Sequence, residues 1–449
     1  MRVLLSAVLW ISLLSAMGIE VSIASTLHVP SEYPTILAGL DASDFGDTVL
    51  VASGVYAYSE ERPIGFGTVR SCAFLRDGVI LRSESGPAGT IIDMGNSPGQ
   101  EEAAIYASNL PSDGTVVEGF TIQGASHASF GVEVLDCGKF TLKDCIIRDV
   151  TASSFSPPGG GLRALAPILV TGCQFLNCEA DMGAAIYQTK GDAEIQQTKF
   201  RECRGRPVVL ENWPGFPFER ARVEQSSFVE CLSEDSSILF IANPGGILVR
   251  GCVFLDNVSV GGAARFWNMG FNDEWRVESC LFAGNLNNAN NSAGAAIYAT
   301  GEELCTIVGN TFYDNTSLVS EGSTISSSVP LVFQNNVLVK SQGGQAIYRP
   351  EHLWNVSSCN VFWDNPDGIG IPLGATDIEA DPLFCSPETG NFTVQGNSPC
   401  LPGHFGNCGL IGVYGEGCGA VSVDPTSWGK IKSLYRTGTI SSFQLGSPK

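Results

Sequence analysis

Between Val117 and Phe362 the apolar positions recur in one short pattern, repeated ten times. An aliphatic or aromatic residue is followed three positions later by a small or polar anchor. Two more positions bring an apolar residue, and another two or three bring Asn, Asp or Cys. Clear copies are Val170-Thr-Gly-Cys173-Gln-Phe175-Leu-Asn177-Cys178, Val249-Arg-Gly-Cys252-Val-Phe254-Leu-Asp256-Asn257, Val277-Glu-Ser-Cys280-Leu-Phe282-Ala-Gly-Asn285 and Ile307-Val-Gly-Asn310-Thr-Phe312-Tyr-Asp314-Asn315. The anchors fall at Phe120, Cys145, Cys173, Thr198, Ser226, Cys252, Cys280, Asn310, Asn336 and Asn360, a period of 24 to 30 residues. Self-similarity at that period predicts a solenoid.

Within each unit the residues alternate at steps of two, which suits strands, and no stretch holds a helical stripe. Val249, Gly251 and Val253 are expected to face one way and Arg250, Cys252 and Phe254 the other. Several short strands per unit, stacked about 4.8 Å from the same strands of the next unit, describe an all-β fold, a right-handed parallel β-helix. It is expected over residues 25–375. Ile36, Leu37 and Leu40 form a short helical stripe ahead of a strand at Thr48 to Ala52, placed to cover the open end of the core. Residues 376–420 are expected to form a Cys-containing capping segment. Residues 421–449 form a basic tail in which Trp428, Ile431, Leu434 and Tyr435 share a helical face, with a disordered end.

Charge and the first residues change this picture. The net charge of -21 and a pI near 4.5 exclude nucleic acid and anionic membrane surfaces as partners and make cations, calcium included, the natural ones. Residues 1–24 read as a secretory signal: Arg2, an apolar run from Val3 to Leu14, and Ser22-Ile23-Ala24 as cleavage site. No later segment has the roughly 18 apolar residues of a membrane helix. The protein is therefore expected to act outside the cytoplasm, secreted or at the cell surface; the sequence does not set its oligomeric state.

Fifteen cysteines would ordinarily suggest a disulfide scaffold, but most keep repeat register. Cys145, Cys173, Cys252 and Cys280 take the anchor place held later by Asn310, Asn336 and Asn360. Cys178, Cys203 and Cys231 take the place of Asn257, Asn285, Asn315 and Asn365. Two inward ladders of small side chains, with Asn amides bonding along the stack and thiols packing as small hydrophobes, account for both sets. Cys385, Cys400, Cys408 and Cys418 lie outside the repeats and are the disulfide candidates.

Tyr33-Pro-Thr-Ile36 through Gly46-Asp47-Thr48-Val49 and Gly54-Val-Tyr56 resembles the opening of pectin-lyase-like β-helix proteins. Gly183-Ala-Ala-Ile-Tyr187, Gly294-Ala-Ala-Ile-Tyr298 and Gly344-Gln-Ala-Ile-Tyr348, beside Phe254-Leu-Asp-Asn257 and its copies, resemble the repeats of polymorphic outer membrane proteins and related adhesins. Asp381-Pro-Leu-Phe384 with Asn397-Ser-Pro-Cys400 is similar to the closing segment of many bacterial β-helix proteins. These resemblances imply the fold and leave the activity open. The sequence boxes that mark polygalacturonases and pectin methylesterases are absent, and Arg204-Gly-Arg206-Pro207 matches only a fragment of the pectate lyase pattern.

A β-helix enzyme needs charged groups converging on one outward face. The best basic set is Lys199, Arg201, Arg204 and Arg206, whose alternative is a solvated outer face. Histidines 28, 127, 352 and 404 are scattered and indicate no zinc site. Two aromatic excursions, one holding Trp213, Phe216, Phe218 and Glu219 and the other Trp267, Phe271, Asp273 and Trp275, begin at the same place in their repeats. They are expected to leave one edge two coils apart, presenting rings and carboxylates to a sugar. In the alternative their rings fold back over the coil or continue an interior stack of Tyr187, Phe240, Phe266 and Tyr298. Asn287, Asn288 and Asn290 could supply oxygen ligands to calcium; otherwise the turn satisfies its own backbone. No other cofactor is indicated. The leading functional reading is a non-catalytic binding or adhesive scaffold for polysaccharide or cell-surface glycan. The alternatives are a lyase or glycoside hydrolase acting on acidic polysaccharide, and a structural envelope protein.

Overall fold

The computed structural model describes residues 24–418 except 66, 96–101, 125–128, 153–157, 212–219, 243–244, 268–273, 290–292, 319–323, 351–352 and 354. Of the segments expected to be a signal and a basic tail, all but Ala24 lies outside the described residues. The chain winds as a right-handed parallel β-helix with three long sheets of 13, 13 and 12 strands. In the coil around Phe254, the first sheet contributes Gly246–Arg250, the second Val253–Leu255 and the third Ala264–Trp267. Each strand pairs in parallel with its equivalent one coil on, as Phe228 with Phe254 and Phe254 with Phe282. Among the described residues no helix is long and apolar enough to cross a membrane.

The alternation expected around Cys252 is not what forms. Val249, Cys252 and Phe254 are all buried, while Arg250 is exposed and Gly251 and Val253 are half-buried. The cause is a left-handed residue just before each anchor, at φ between 49° and 81°: Gly119, Asp144, Gly172, Gln197, Gln225, Gly251, Ser279, Gly309, Asn335 and Cys359. It bends the chain from the first sheet into the second, so the buried residues flanking the bend are separated by two outward ones. A second left-handed residue, four after the anchor, repeats the bend at Asp149, Asn177, Glu202, Asp256 and Asp314. Asn and Asp recur there because their short polar side chains tolerate that conformation.

Each bend interrupts the strand hydrogen bonds and leaves a buried anchor N–H to be satisfied. The next coil supplies the acceptor. The Cys280, Asn310 and Asn336 N–H groups donate to Oδ1 of Asn310, Asn336 and Asn360 at 2.8, 2.9 and 2.8 Å. In the second ladder the Cys231 N–H donates to Asn257 Oδ1 at 3.0 Å. The ladder thiols are free and buried. Between the ladders runs a stack of phenylalanines, Phe175, Phe200, Phe228, Phe254, Phe282 and Phe312, with centroids 4.6 to 5.3 Å apart.

The helix Ile36–Ala42, capped by Thr35 accepting from the Ala38 N–H, buries Ile36, Leu37 and Leu40 over the first coil. At the other end Ile369 and Ile371 join the main core, and Ile378–Glu379 adds the last strand of the second sheet. The residues that follow run back along the outside of the second sheet instead of only closing the end. Phe392, Val394, Cys400, Cys408 and Ile411 pack on its outward Val229, Leu255, Leu281, Ala283, Tyr313, Val337 and Val339. The Gly412 N–H donates to the Asn335 carbonyl at 2.7 Å, and the Val413 N–H to Thr311 Oγ1 at 3.1 Å. Two disulfides hold this strap, Cys359–Cys408 and Cys385–Cys418. Of the four candidates, whose pairing the sequence leaves open, Cys385 and Cys418 pair with each other. Cys408 instead pairs with Cys359, which sits at the outward bend position rather than in a ladder, and Cys400 is a buried free thiol.

Candidate functional site on the outer face of the third sheet

Along the outside of the third sheet, one register row reads Tyr187, Val209, Phe240, Arg265, Tyr298, Ser326, Tyr348. Tyr187, Phe240 and Tyr298 therefore belong to an outer row, not to the interior stack; of that set only Phe266, the neighbour of Arg265 along the strand, points into the core. Their position follows from strand alternation, since Phe266 and Arg265 must face opposite sides.

Arg265 is the centre of this row. Its guanidinium lies 5.5 Å from the Phe240 centroid and 5.1 Å from that of Tyr298, a cation held between two rings of adjacent coils. It makes no ion pair among the described residues, and burial pulls its pKa below the ordinary arginine value. A stacked, partly desolvated guanidinium favours a planar anion, because its donors are weakly hydrated and fixed in one plane. Tyr187 and Phe240 are buried, with Tyr187 OH donating to Glu211 Oε1 at 2.7 Å, whereas Arg265, Tyr298 and Tyr348 are half-buried.

The aromatic excursions begin where the sequence places them. Glu211 pairs with Ala242 and Ala242 with Trp267, so the strands leading into 212–219 and 268–273 end in register, two coils apart at one edge of the third sheet. Trp267 is 37% exposed and ends the Arg265 strand. Trp275 is not a ligand-facing residue: it is fully buried, at the start of the first-sheet strand Trp275–Glu278. Its inward register beside Ile247 and Cys305 decides its direction. Trp213, Phe216, Phe218, Glu219, Phe271 and Asp273 lie outside the described residues.

The basic set is divided. Lys199 and Arg201 are on the outward face of the second sheet, Arg201 bridging to Glu202 at 2.9 Å and Glu230 at 3.4 Å. Arg206 is bound to Asp235 at 2.9 Å. Arg204 lines an open groove of about 440 Å³ between the second and third sheets, together with Glu179, Asp181, Glu234 and Asp235. Asn287 is buried and donates to the Ala293 carbonyl, while Asn288 is exposed, so these two do not converge on an ion; Asn290 is not described. No group of three or more His, Cys, Asp or Glu converges on a metal position among the described residues.

No protein-family model matches the chain, and no curated protein matches it. Among solved structures it is similar to pectate lyase Pel9A, at 13% identity and a TM-score of 0.41 over 88% of this chain and 97% of that one. It is also similar to a rhamnogalacturonan lyase, at 14% identity and a TM-score of 0.38 over 81% of this chain and 91% of that one. A third similar structure is a mannuronic acid specific polysaccharide family 6 lyase from human gut microbiota, at 8% identity and a TM-score of 0.31 over 78% and 92% of the two chains. The parallel β-helix architecture is read from this chain's own strand pairing. At this identity the likeness is one of fold, and function is argued from the side chains.

Proposed function

We propose that this protein binds polysaccharide on the outer face of its third sheet and acts outside the cytoplasm as a non-catalytic scaffold. The observation that carries the reading is Arg265, stacked between Phe240 and Tyr298 without a carboxylate of its own in a strongly acidic chain. Rings that stand in a row along the helix axis, with Trp267 at the edge, suit an extended sugar chain: pyranose faces stack on aromatics while hydroxyls and carboxylates meet the guanidinium. The carboxylates of this face are engaged, Glu133 with Arg163 and Glu211 with Tyr187.

The second reading, a lyase or hydrolase acting on acidic polysaccharide, is favoured by the Arg204 groove, where an arginine without an ion pair among the described residues faces four carboxylates. One experiment separates the two. The mature protein is incubated with polygalacturonate, alginate and neutral glycans, with and without calcium, following absorbance at 235 nm, reducing ends and retention on each immobilised glycan. Retention without new ends, reduced in Arg265→Gln and Trp267→Ala, supports the scaffold. New unsaturated or reducing ends that disappear in Arg204→Gln establish the second reading, and silence in every channel rejects both.

A further inference from the structure

We infer that the protein carries a separate uronate-binding groove on the outside of its first sheet, built on Arg220 and Arg222. The strand Arg220–Glu224 directs Arg220, Arg222 and Glu224 outward. Glu224 is bound to Arg250, but neither Arg220 nor Arg222 has an ion pair among the described residues. That is unusual here: carboxylates outnumber Lys and Arg by 46 to 25, and the neighbouring first-sheet cations Lys139, Arg250 and Arg276 are all bridged to Glu. Arg220 and Arg222, whose Cα atoms stand about 6.6 Å apart along one strand, put two like charges on the same outward face.

The coil that follows leaves space for that anion. Arg220 pairs in register with Gly246, and a side chain at Gly246 would meet nothing closer than 3.9 Å. The result is a groove of about 240 Å³ floored by Gly245, Gly246, Ile247 and Leu248, with Arg220 and Arg222 on one wall and Glu274 and Arg276 on the other. Arg222 lies in register with Leu248 and Leu248 with Arg276. Arg276 is already neutralised by Glu274 at 2.7 Å and Glu278 at 3.2 Å, so the cations of this groove without an ion pair among the described residues are Arg220 and Arg222. They are flanked on the preceding coil by Glu194, in register with Arg222, and by Asp192, which accepts the Arg220 N–H. Planar carboxylates spaced along an extended chain match this arrangement: each guanidinium offers a bidentate fork, while Leu248 presents an apolar floor to a sugar face. The groove faces a different side of the solenoid from Arg265, and the inference does not depend on the third sheet binding glycan.

The test titrates the full mature chain with galacturonate oligomers and with their methyl esters, which keep the sugar and remove the charge. The acid form is expected to bind more tightly than the ester, with an affinity that falls steeply with salt. Arg220→Gln/Arg222→Gln should lose about tenfold or more of acid-form affinity, the scale of lost charge-assisted hydrogen bonds. Binding of the ester, and the melting temperature, should stay unchanged. Arg220→Lys/Arg222→Lys, which keeps both charges, should retain the salt dependence at reduced affinity and covers the case in which the glutamine pair folds poorly. Arg250→Gln, whose partner lies in the charge ladder, should behave as wild type. Equal affinity of the Gln pair and wild type for the acid form, or no preference of wild type for acid over ester, overturns the inference. Unchanged retention in Trp267→Ala and Arg265→Gln would reject the third-sheet reading while leaving this one standing.

Discussion

The Asn310 backbone N–H and its side-chain Nδ2 both donate to one oxygen, Oδ1 of Asn336, at 2.9 and 3.0 Å. Asn336 in turn returns its own Nδ2 to the Ile307 carbonyl at 2.9 Å. One buried amide therefore satisfies groups on the coil before it that the left-handed bend has taken out of the sheet. Asn336→Leu should cost about 1–3 kcal/mol, because it leaves the Asn310 donors and the Ile307 acceptor dry and unpaired. Urea unfolding of the variant checks this; a midpoint equal to wild type would show that water replaces the amide.

The phenylalanine stack sets a larger cost nearby. Phe254 is fully buried between Phe228 and Phe282, each 4.6 Å away between centroids. Phe254→Ala should destabilise by about 3–5 kcal/mol, while Trp267→Ala, at a half-open edge, should leave the unfolding midpoint within about 0.5 kcal/mol of wild type. The contrast between the two is the readout.

The strap gives a redox prediction. Under the strap the outward positions Leu255, Leu281 and Val337 of the second sheet are apolar and buried, whereas Gln174 and Lys199 lie beyond its cover. Reduction of Cys359–Cys408 and Cys385–Cys418 should loosen residues 384–418 before the coils unfold, with dye binding to the uncovered apolar face and new protease cleavage confined to the strap. Cleavage spreading through the repeats at the same rate would show that strap and solenoid unfold together.

The ladder thiols should be inert. Burial pushes the Cys173, Cys231 and Cys280 thiols well above their ordinary value, and the thiolate is the reactive form. At pH 8 a thiol reagent should titrate the half-buried Cys137 at most in the native protein, and all eleven free cysteines after denaturation. Rapid native labelling of Cys173 or Cys203 would contradict the buried ladder.

Acid should weaken the N-terminal coils. The Asp41 carboxyl is held below its ordinary value, chiefly by its hydrogen bond with Arg62, whose other partner is Glu60. A carboxylate lowered on folding contributes stability that is complete above its unfolded value, near 3.9, and is lost as pH falls through the folded one. Between pH 5 and 2 the wild type should therefore lose more stability than Asp41→Asn; parallel curves would show that the pair is fully screened.

The stack, the anchors and the capping helix were legible because they repeat: Phe254 and Cys252 stand at fixed offsets in coil after coil. The bends were not, since Gln225 or Ser279 in a left-handed conformation carries no composition signal, and a strict two-step alternation skips the rotation at Gly251. The outer row around Arg265 was readable in part. Placing Phe266 inward puts Arg265 outward, and the same rule sends Phe240 and Tyr298 to the surface. Trp275 looked like part of an aromatic loop because it follows one, yet it already occupies the inward register of the next strand. Cys359 stands one residue before anchor Asn360, and that offset alone separates it from the ladder cysteines. The apolar residues under the strap were hidden because inward and outward positions of those strands are both hydrophobic.

The asparagine and cysteine ladders join each coil only to its immediate neighbours. The solenoid is therefore a modular rod: a unit clear of the strap, such as Ile195–Arg222, could be removed or copied without rewriting the strap's contacts. Each such change would shift Arg265 relative to Arg163 by one rung of about 4.8 Å. Against the extended polysaccharide proposed above, such a rod would act as an adjustable gauge, with the spacing of its surface groups set by counting coils.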